Sequence, residues 1–530
     1  MKRNLVILGL SGIALVSLAF FEGCHRPPSE SGPTPASAEK NSFREVTSRL
    51  DSGGDLYVYL STEQLLTGVG DKISKWRQFF ETLPGADETH RQQIGRGFDL
   101  ATALVKDSGI EDVSGLGMSA IAVETNFYRS KLFLHHYPGH GSGFLWKMLG
   151  GAPHALNGLD LAPSNTALAV FSDLDVNLVW AEVKKLVDSS DLPEAQEALA
   201  QLPGRFEQVT GLSWTKALGS LGGEFGILLT LDDANQIPIP IPGQDRLQIP
   251  EPGLMIVAKV KDDLLFDRID AQLKRMGSQQ LISVDKGGLR MRTFPVPLPL
   301  PIELRPSVAT SDGYLIIATS DYMIQDALAV KSGRVPGLRS TAEFKKLATG
   351  VPDQGNHFTF VSQLFGQTIL QVQRQALQMN PKTPAAQKQW LESLLQPNAA
   401  KFTYCVGANT DEGWYTVGNG NQRPTAAFLA VAVAAPAGVL AAIAIPNFVK
   451  ARATSQQNAC INNLRQIDAA KKQWALEKGM PANAMPSKED LKPYLGSHPF
   501  PQCPQGGQYS IGAVNEPPTC SIPGHALKGE

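Results

Sequence analysis

Side chains able to do chemistry are sparse in this sequence and poorly clustered. The densest histidines are His135, His136 and His140, inside Leu134-His-His-Tyr-Pro-Gly-His-Gly-Ser-Gly143. Imidazoles can ligate metal, but a site needs three or four convergent donors, and His154 or Glu124 would have to complete this one. The spacing fits no metal pattern, and Pro138 among three glycines reads as an exposed loop. Ser142 sits in Gly-His-Gly-Ser-Gly, which has the outline of a nucleophile elbow. That motif needs glycine two residues before the serine, and His140 stands there. Gly219-Ser-Leu-Gly-Gly-Glu-Phe-Gly226 lacks the Lys-Ser/Thr ending of a phosphate loop and leads into a strand. No HExxH, EF-hand loop or CxxC occurs. The residues therefore designate no catalytic group and no cofactor, with His135, His136 and His140 as the remaining metal candidates.

Charge narrows the partners. Lys and Arg number 48 against 50 Asp and Glu, for a net charge of −2, which excludes the basic field of a nucleic-acid binder. A chain of 530 residues allows three or four domains at roughly 100 to 200 residues each.

The elements that would position any site recur. Leu56–Ser61 alternates and enters a helical stretch, Thr62–Leu83; Ala167–Ser172 does so before Asp175–Val187, and His357–Ser362 before Gln363–Met379. Leu254–Val260 with Asp262–Met276, and Tyr314–Thr319 with Asp321–Val330, are two more such steps. Each strand runs into a Ser, Thr, Lys or Asp before its helix, as N-cap preference predicts. Ser108–Gly117 is echoed by Thr210–Gly219, each followed by an alternating strand, Ala120–Glu124 and Phe225–Thr230. The pattern predicts an α+β fold of tandem antiparallel-sheet-plus-helix modules, with helices on one face of each sheet. One module covers 43–160, and modules two and three cover 161–420. Two proline ribbons, Ile237–Gly243 and Phe294–Pro301, carry proline at alternate positions. A strand built so keeps its donors on one edge only, a protected edge; polyproline II offered to a partner is the alternative.

The ends of the chain carry targeting signals. Lys2 and Arg3 precede an uncharged run from Leu5 to Phe21, then Gly23-Cys24. This resembles the bacterial lipoprotein signal, which implies cleavage of 1–23 and lipid on Cys24; an uncleaved signal anchor is the alternative. Residues 24–42 are Pro- and Ser-rich, a spacer with little to bury. Segments such as Gly313–Asp321 and Ser340–Leu347 give residues 50–370 a diffuse resemblance to an exported bacterial domain family of unknown function, which implies no activity.

After a short linker, 421–424, composition shifts. Thr425–Ile445 is uncharged, and an amphipathic pattern then runs to Lys478 with Cys460, Leu464, Ile467 and Trp474 on one side, stopped by Gly479 and Pro481. Residues 441–479 and Cys503–Leu527 resemble the N-terminal helix and head of type IV pilins and type II secretion pseudopilins. The resemblance implies a long helical spine with its apolar half in a membrane or filament core, and a small head with a hairpin near Tyr509–Val514. Pilins are processed after a glycine and carry a glutamate five residues into the mature helix; the matching places are Pro424 and Leu429, so the module of 425–530 reads as a fused, unprocessed pilin-like unit. Eight Leu, Ile, Val or Phe residues in Thr425–Ile445 contribute roughly −2 to −5 kcal/mol to insertion, a marginal membrane span.

Beyond Cys24, four cysteines allow three full pairings that sequence cannot choose among. Proximity favours Cys503–Cys520, which closes a loop of about 18 residues worth about 3 kcal/mol in the chain-entropy model. Cys405 and Cys460 read as buried thiols. Together these features point to a non-enzymatic, exported cell-envelope lipoprotein. It would be held to the membrane by lipid on Cys24, with Thr425–Ile445 as a second contact, and would bind an envelope or secretion-system protein. A pseudopilin of a type II secretion or type IV pilus system, and a hydrolase or metal-dependent enzyme centred on the three histidines, are the alternatives.

Overall fold

The computed structural model describes residues 41–66, 68–81, 88–190, 193–239, 247–277, 280–296, 304–378, 400–421, 457–495, 500–504 and 506–527. The signal, Cys24 and Thr425–Ile445 lie outside the described residues. No helix among the described residues is long and apolar enough to cross a membrane. The chain divides near residue 429 into two compact units, an α+β body and a small head.

Strand-to-helix steps in the body follow the sequence pattern closely. The strand Leu56–Ser61 forms as expected; the strands Thr166–Asp173, His357–Val361, Leu247–Val260 and Tyr314–Ala318 lead into helices Val176–Asp188, Gln363–Gln378, Leu264–Gly277 and Asp321–Lys331. Caps fix several of these starts. Asp175 accepts from the amides of Asn177 and Leu178, and Ser320 from that of Met323. Gly68, with φ +66°, separates helix Glu63–Leu66 from Val69–Glu81.

Three copies of one supersecondary unit emerge, each a strand, a helical stretch and a returning hairpin whose near strand pairs with the first strand. They are Leu56–Ser61 with Gly115–Glu124 and Phe127–His135; Thr166–Asp173 with Leu221–Ile239 and Leu247–Val260; and His357–Val361 with Thr403–Thr410 and Gly413–Gly420. The copies share one thirteen-stranded sheet among the described residues, antiparallel at every pairing. The third copy lies between the other two. Its last strand pairs Gly413 to His135, and its first pairs His357 to Ser172. Strands Tyr314–Ala318, Ser307–Ser311, Leu289–Thr293 and Ile282–Lys286 extend the far edge.

Helices cover both faces, where the sequence suggested one. Ala309 and Ile316 pack with Ile324 and Ala327 of helix Asp321–Lys331, while their neighbours Val308 and Leu315 pack with Phe266 of helix Leu264–Gly277. Successive side chains in a strand point to opposite faces. Along the apolar run of 314–318, Tyr314, Ile316 and Ala318 are buried on one face and Leu315 on the other, while Ile317 stands exposed.

Of the second proline ribbon only 294–296 lie among the described residues. The amides of Phe294 and Val296, flanking Pro295, donate to the carbonyls of Pro306 and Leu304 at 2.9 Å each. In the first ribbon Ile237–Ile239 pairs with Leu247–Ile249 beyond the point where Thr166–Asp173 stops, on one side only among the described residues; 240–243 lie outside them.

The head is organised on a helix over 457–478, which buries Cys460, Leu464, Ile467, Ala470, Lys471, Trp474 and Ala475 at spacings of three and four, with two adjacent pairs. Gly479, at φ +63°, ends it. The hairpin is shorter than Tyr509–Val514: Tyr509 pairs with Cys520 and Ser510 with Thr519. Past Ser510 the chain turns onto Lys471, whose buried ammonium donates to the carbonyls of Ile511 (2.8 Å), Ala513 (3.0 Å) and Glu516. Three donors meet three acceptors, with the Asp468 carboxylate 3.9 Å away on the same helix.

Candidate functional site

The sequence-designated histidines do not converge. His135 closes its strand fully buried, with Nδ1 2.6 Å from the Ser114 hydroxyl, and desolvation lowers its pKa below the ordinary histidine value. His136 faces elsewhere, its Nδ1 donating to the Tyr137 carbonyl at 3.0 Å and its ring edge-on to Trp146. His140 is exposed, 3.4 Å from Asp112. The two proposed helpers are engaged separately: His154 with Asp173 at 2.9 Å, and Glu124 with Lys346 at 2.6 Å. Adjacent residues on extended chain project oppositely, which is why His135 and His136 cannot share an ion. An open groove of about 530 Å³ lies beside His136, His140, Trp146 and Asp411; the described residues bring no nucleophile–base pair to it.

Two arginines of the body are locked in pairs with carboxylates. Arg292, 3% exposed, forks between Asp270 and Asp285, with contacts of 2.7 to 3.2 Å. Burial alone raises the Asp270 carboxyl, but the Arg292 and Lys274 bonds hold it below the usual carboxylate range. Arg305 clasps Asp321 in the same way. Asp173 accepts from His154 and from Asn356 at 3.0 Å. Glu224, buried against the Tyr314 hydroxyl at 3.3 Å, is pushed up chiefly by desolvation. The two arginine pairs reach helices Leu264–Gly277 and Asp321–Lys331, whereas the contacts of Asp173 with His154 and of Glu224 with Tyr314 join strand to strand.

The head contains what the sequence did not reveal. No disulfide joins Cys503 to Cys520, so the expected pairing is not made. Both residues instead meet Cys460 and His525, and one donor atom from each of the four lies within 4.8 Å of the others. Cys460 comes from the helix, Cys503 from the chain before the hairpin, Cys520 from its second strand and His525 from the turn after it. Cys460, Cys503 and His525 are buried and Cys520 is half-buried. His525 Nδ1 stands 3.7 Å from Cys503 Sγ. The Tyr509 hydroxyl donates to Cys460 Sγ at 3.3 Å, and Asn463 bonds both that hydroxyl (3.2 Å) and the Gln502 carbonyl (2.9 Å). Gly507 lets the backbone pass the cluster, since a Cβ there would stand 2.6 Å from Cys520 Sγ. Burial pushes the Cys460 thiol up to about 12.

Sequence reasoning placed Cys460 in the helix core correctly and overlooked His525. The available signal was three of five cysteines gathered with a histidine in the smallest unit of the chain. Comparison of the chain with protein-family models, with curated proteins and with solved structures finds no match to any of them.

Proposed function

We propose that the protein is a non-enzymatic component of a bacterial cell envelope, exported and anchored by lipid on Cys24, whose body binds a protein partner. In this reading the pilin-like module associates with membrane or secretion machinery. One observation carries the binding role. On the sheet face that helix Leu264–Gly277 covers only at one end, Ile227, Ile256 and Ile317 lie directly opposite one another on three paired strands. They are 46%, 45% and 44% exposed, with Leu254 beside them at 40%. A contiguous apolar strip facing water costs solubility unless something uses it. Three β-branched side chains in register form a flat, rigid surface suited to a partner's apolar side chains. For the second part, the helix over 457–478 packed on a short hairpin supports the pilin-like likeness.

The test is capture of an envelope protein by the full chain in detergent extract, repeated with Ile256→Lys. The reading expects a partner retained by the wild-type chain and lost from the variant. Recovery of nothing above background, or equal recovery by both, would count against it.

A further inference from the structure

We propose that Cys460, Cys503, Cys520 and His525 hold one structural zinc ion. The donor set is the first argument. Three thiolates and an imidazole are the soft and borderline ligands that zinc takes in closed, four-coordinate sites, and no carboxylate or water position completes the set. The geometry is the second. A tetrahedron with metal–sulfur bonds of about 2.3 Å has edges of about 3.8 Å; the Cys503–His525 separation is 3.7 Å, and no donor pair exceeds 4.8 Å. A cluster that needs to contract by less than about 1 Å along its longest edge is close to a loaded site.

Supporting residues are arranged for such a site. The Tyr509 hydroxyl donates to Cys460 Sγ, the kind of outer bond that orients a ligand and spreads the site's negative charge. Gly507 gives Cys520 its room. The head also has reason to need an ion. Its buried apolar cluster is small, centred on Ile467, Trp474 and Leu491, and units of this size are usually stapled by disulfides or metal. Four ligands from four chain segments would tie the helix over 457–478 to the turn at 522–525. With every position filled by protein, the ion has no opening for substrate, so its role is to fold the head and not to catalyse.

The rival is oxidation: two of the three thiols could form a disulfide in an oxidising compartment. The full chain, purified without chelator or added reductant, distinguishes them by elemental mass spectrometry and by non-reducing peptide mapping. The proposal expects about one zinc per chain and all three head cysteines alkylatable once zinc is removed. His525→Ala should lower zinc affinity at least about tenfold. His525→Cys, which restores a fourth ligand, should keep the zinc, so loss in the first variant cannot be laid to general unfolding. Cobalt added to the zinc-stripped chain should give the visible bands of a tetrahedral thiolate site, absent from His525→Ala. A Cys503–Cys520 or other disulfide in the head, iron with inorganic sulfide in place of zinc, or a folded head with far less than one zinc would each overturn the proposal.

Discussion

Cys503 Sγ and His525 Nδ1 face each other at 3.7 Å inside the head, although neither the spacing of the cysteines nor the hairpin announces a partnership. Four donors from a helix, a loop, a strand and a turn meet there, and the site is a product of tertiary packing alone.

Gly507 tests how closely the backbone must pass this cluster. A Cβ at 507 would sit 2.6 Å from Cys520 Sγ, closer than any real contact, so Gly507→Ala must displace the sulfur. Zinc release to a chelator should be faster in this variant by at least about tenfold, the scale on which displaced supporting residues act. An unchanged release rate would show that Cys520 is not held where the geometry puts it.

Lys471 supplies a second staple in the same unit. Lys471→Met keeps the apolar stem and strands the carbonyls of Ile511, Ala513 and Glu516. Bonds from a charged donor are worth about 1.5 to 3 kcal/mol each, partly recovered when water reaches the exposed acceptors. Amide hydrogen exchange over the helix 457–478 and the 511–516 turn should accelerate in the variant, with the body unaffected. Equal exchange would mean the turn is held by other contacts.

In the body, Arg292 and Asp270 should behave as a coupled pair. Removing one partner leaves a buried charge, so Arg292→Met alone should destabilise by about 3 to 5 kcal/mol, whereas Arg292→Met with Asp270→Leu should recover most of that loss. Urea unfolding of the four chains forms the cycle. Additive single effects would contradict the pairing.

Glu224 gives the pH dependence. Burial raises its native pKa above the unfolded value, so the native state binds more protons in the interval between them, and stability falls as pH rises through it. Glu224→Gln, which removes the ionisation, should stabilise the body at neutral pH, and the advantage should vanish below the ordinary glutamate value near 4.3. A variant less stable than wild type at pH 7 and equal at pH 4 would reverse the sign and refute the burial argument.

Much of the body was legible because its signals are local. The Leu56–Ser61 strand, the strand-to-helix steps after Ser172 and Thr319, and the one-sided donors of Phe294 and Val296 follow from alternation and turn chemistry within a few residues. The shared sheet was not legible. Nothing near His135 or His357 states that Gly413 or Ser172 lies opposite, since edge choice is fixed by which apolar faces can be buried together. The histidines misled because closeness in sequence along an extended chain places side chains on opposite faces. The cysteines misled in the other direction: Cys503 and Cys520 flank a hairpin as a disulfide would, and only the fold brings Cys460 and His525 to them.

At the N-terminus, Cys24→Ala should abolish fatty-acid labelling and block maturation of the chain. Labelling that persists in the variant would remove lipid on Cys24 from the account.

The central claim, an envelope protein presenting its body and head outside the cytoplasm, is tested most directly by protease accessibility in intact spheroplasts. The account predicts that added protease degrades epitopes in both the body and the 500–527 segment while a cytoplasmic control protein survives. Protection of both epitopes until the membrane is lysed would contradict it.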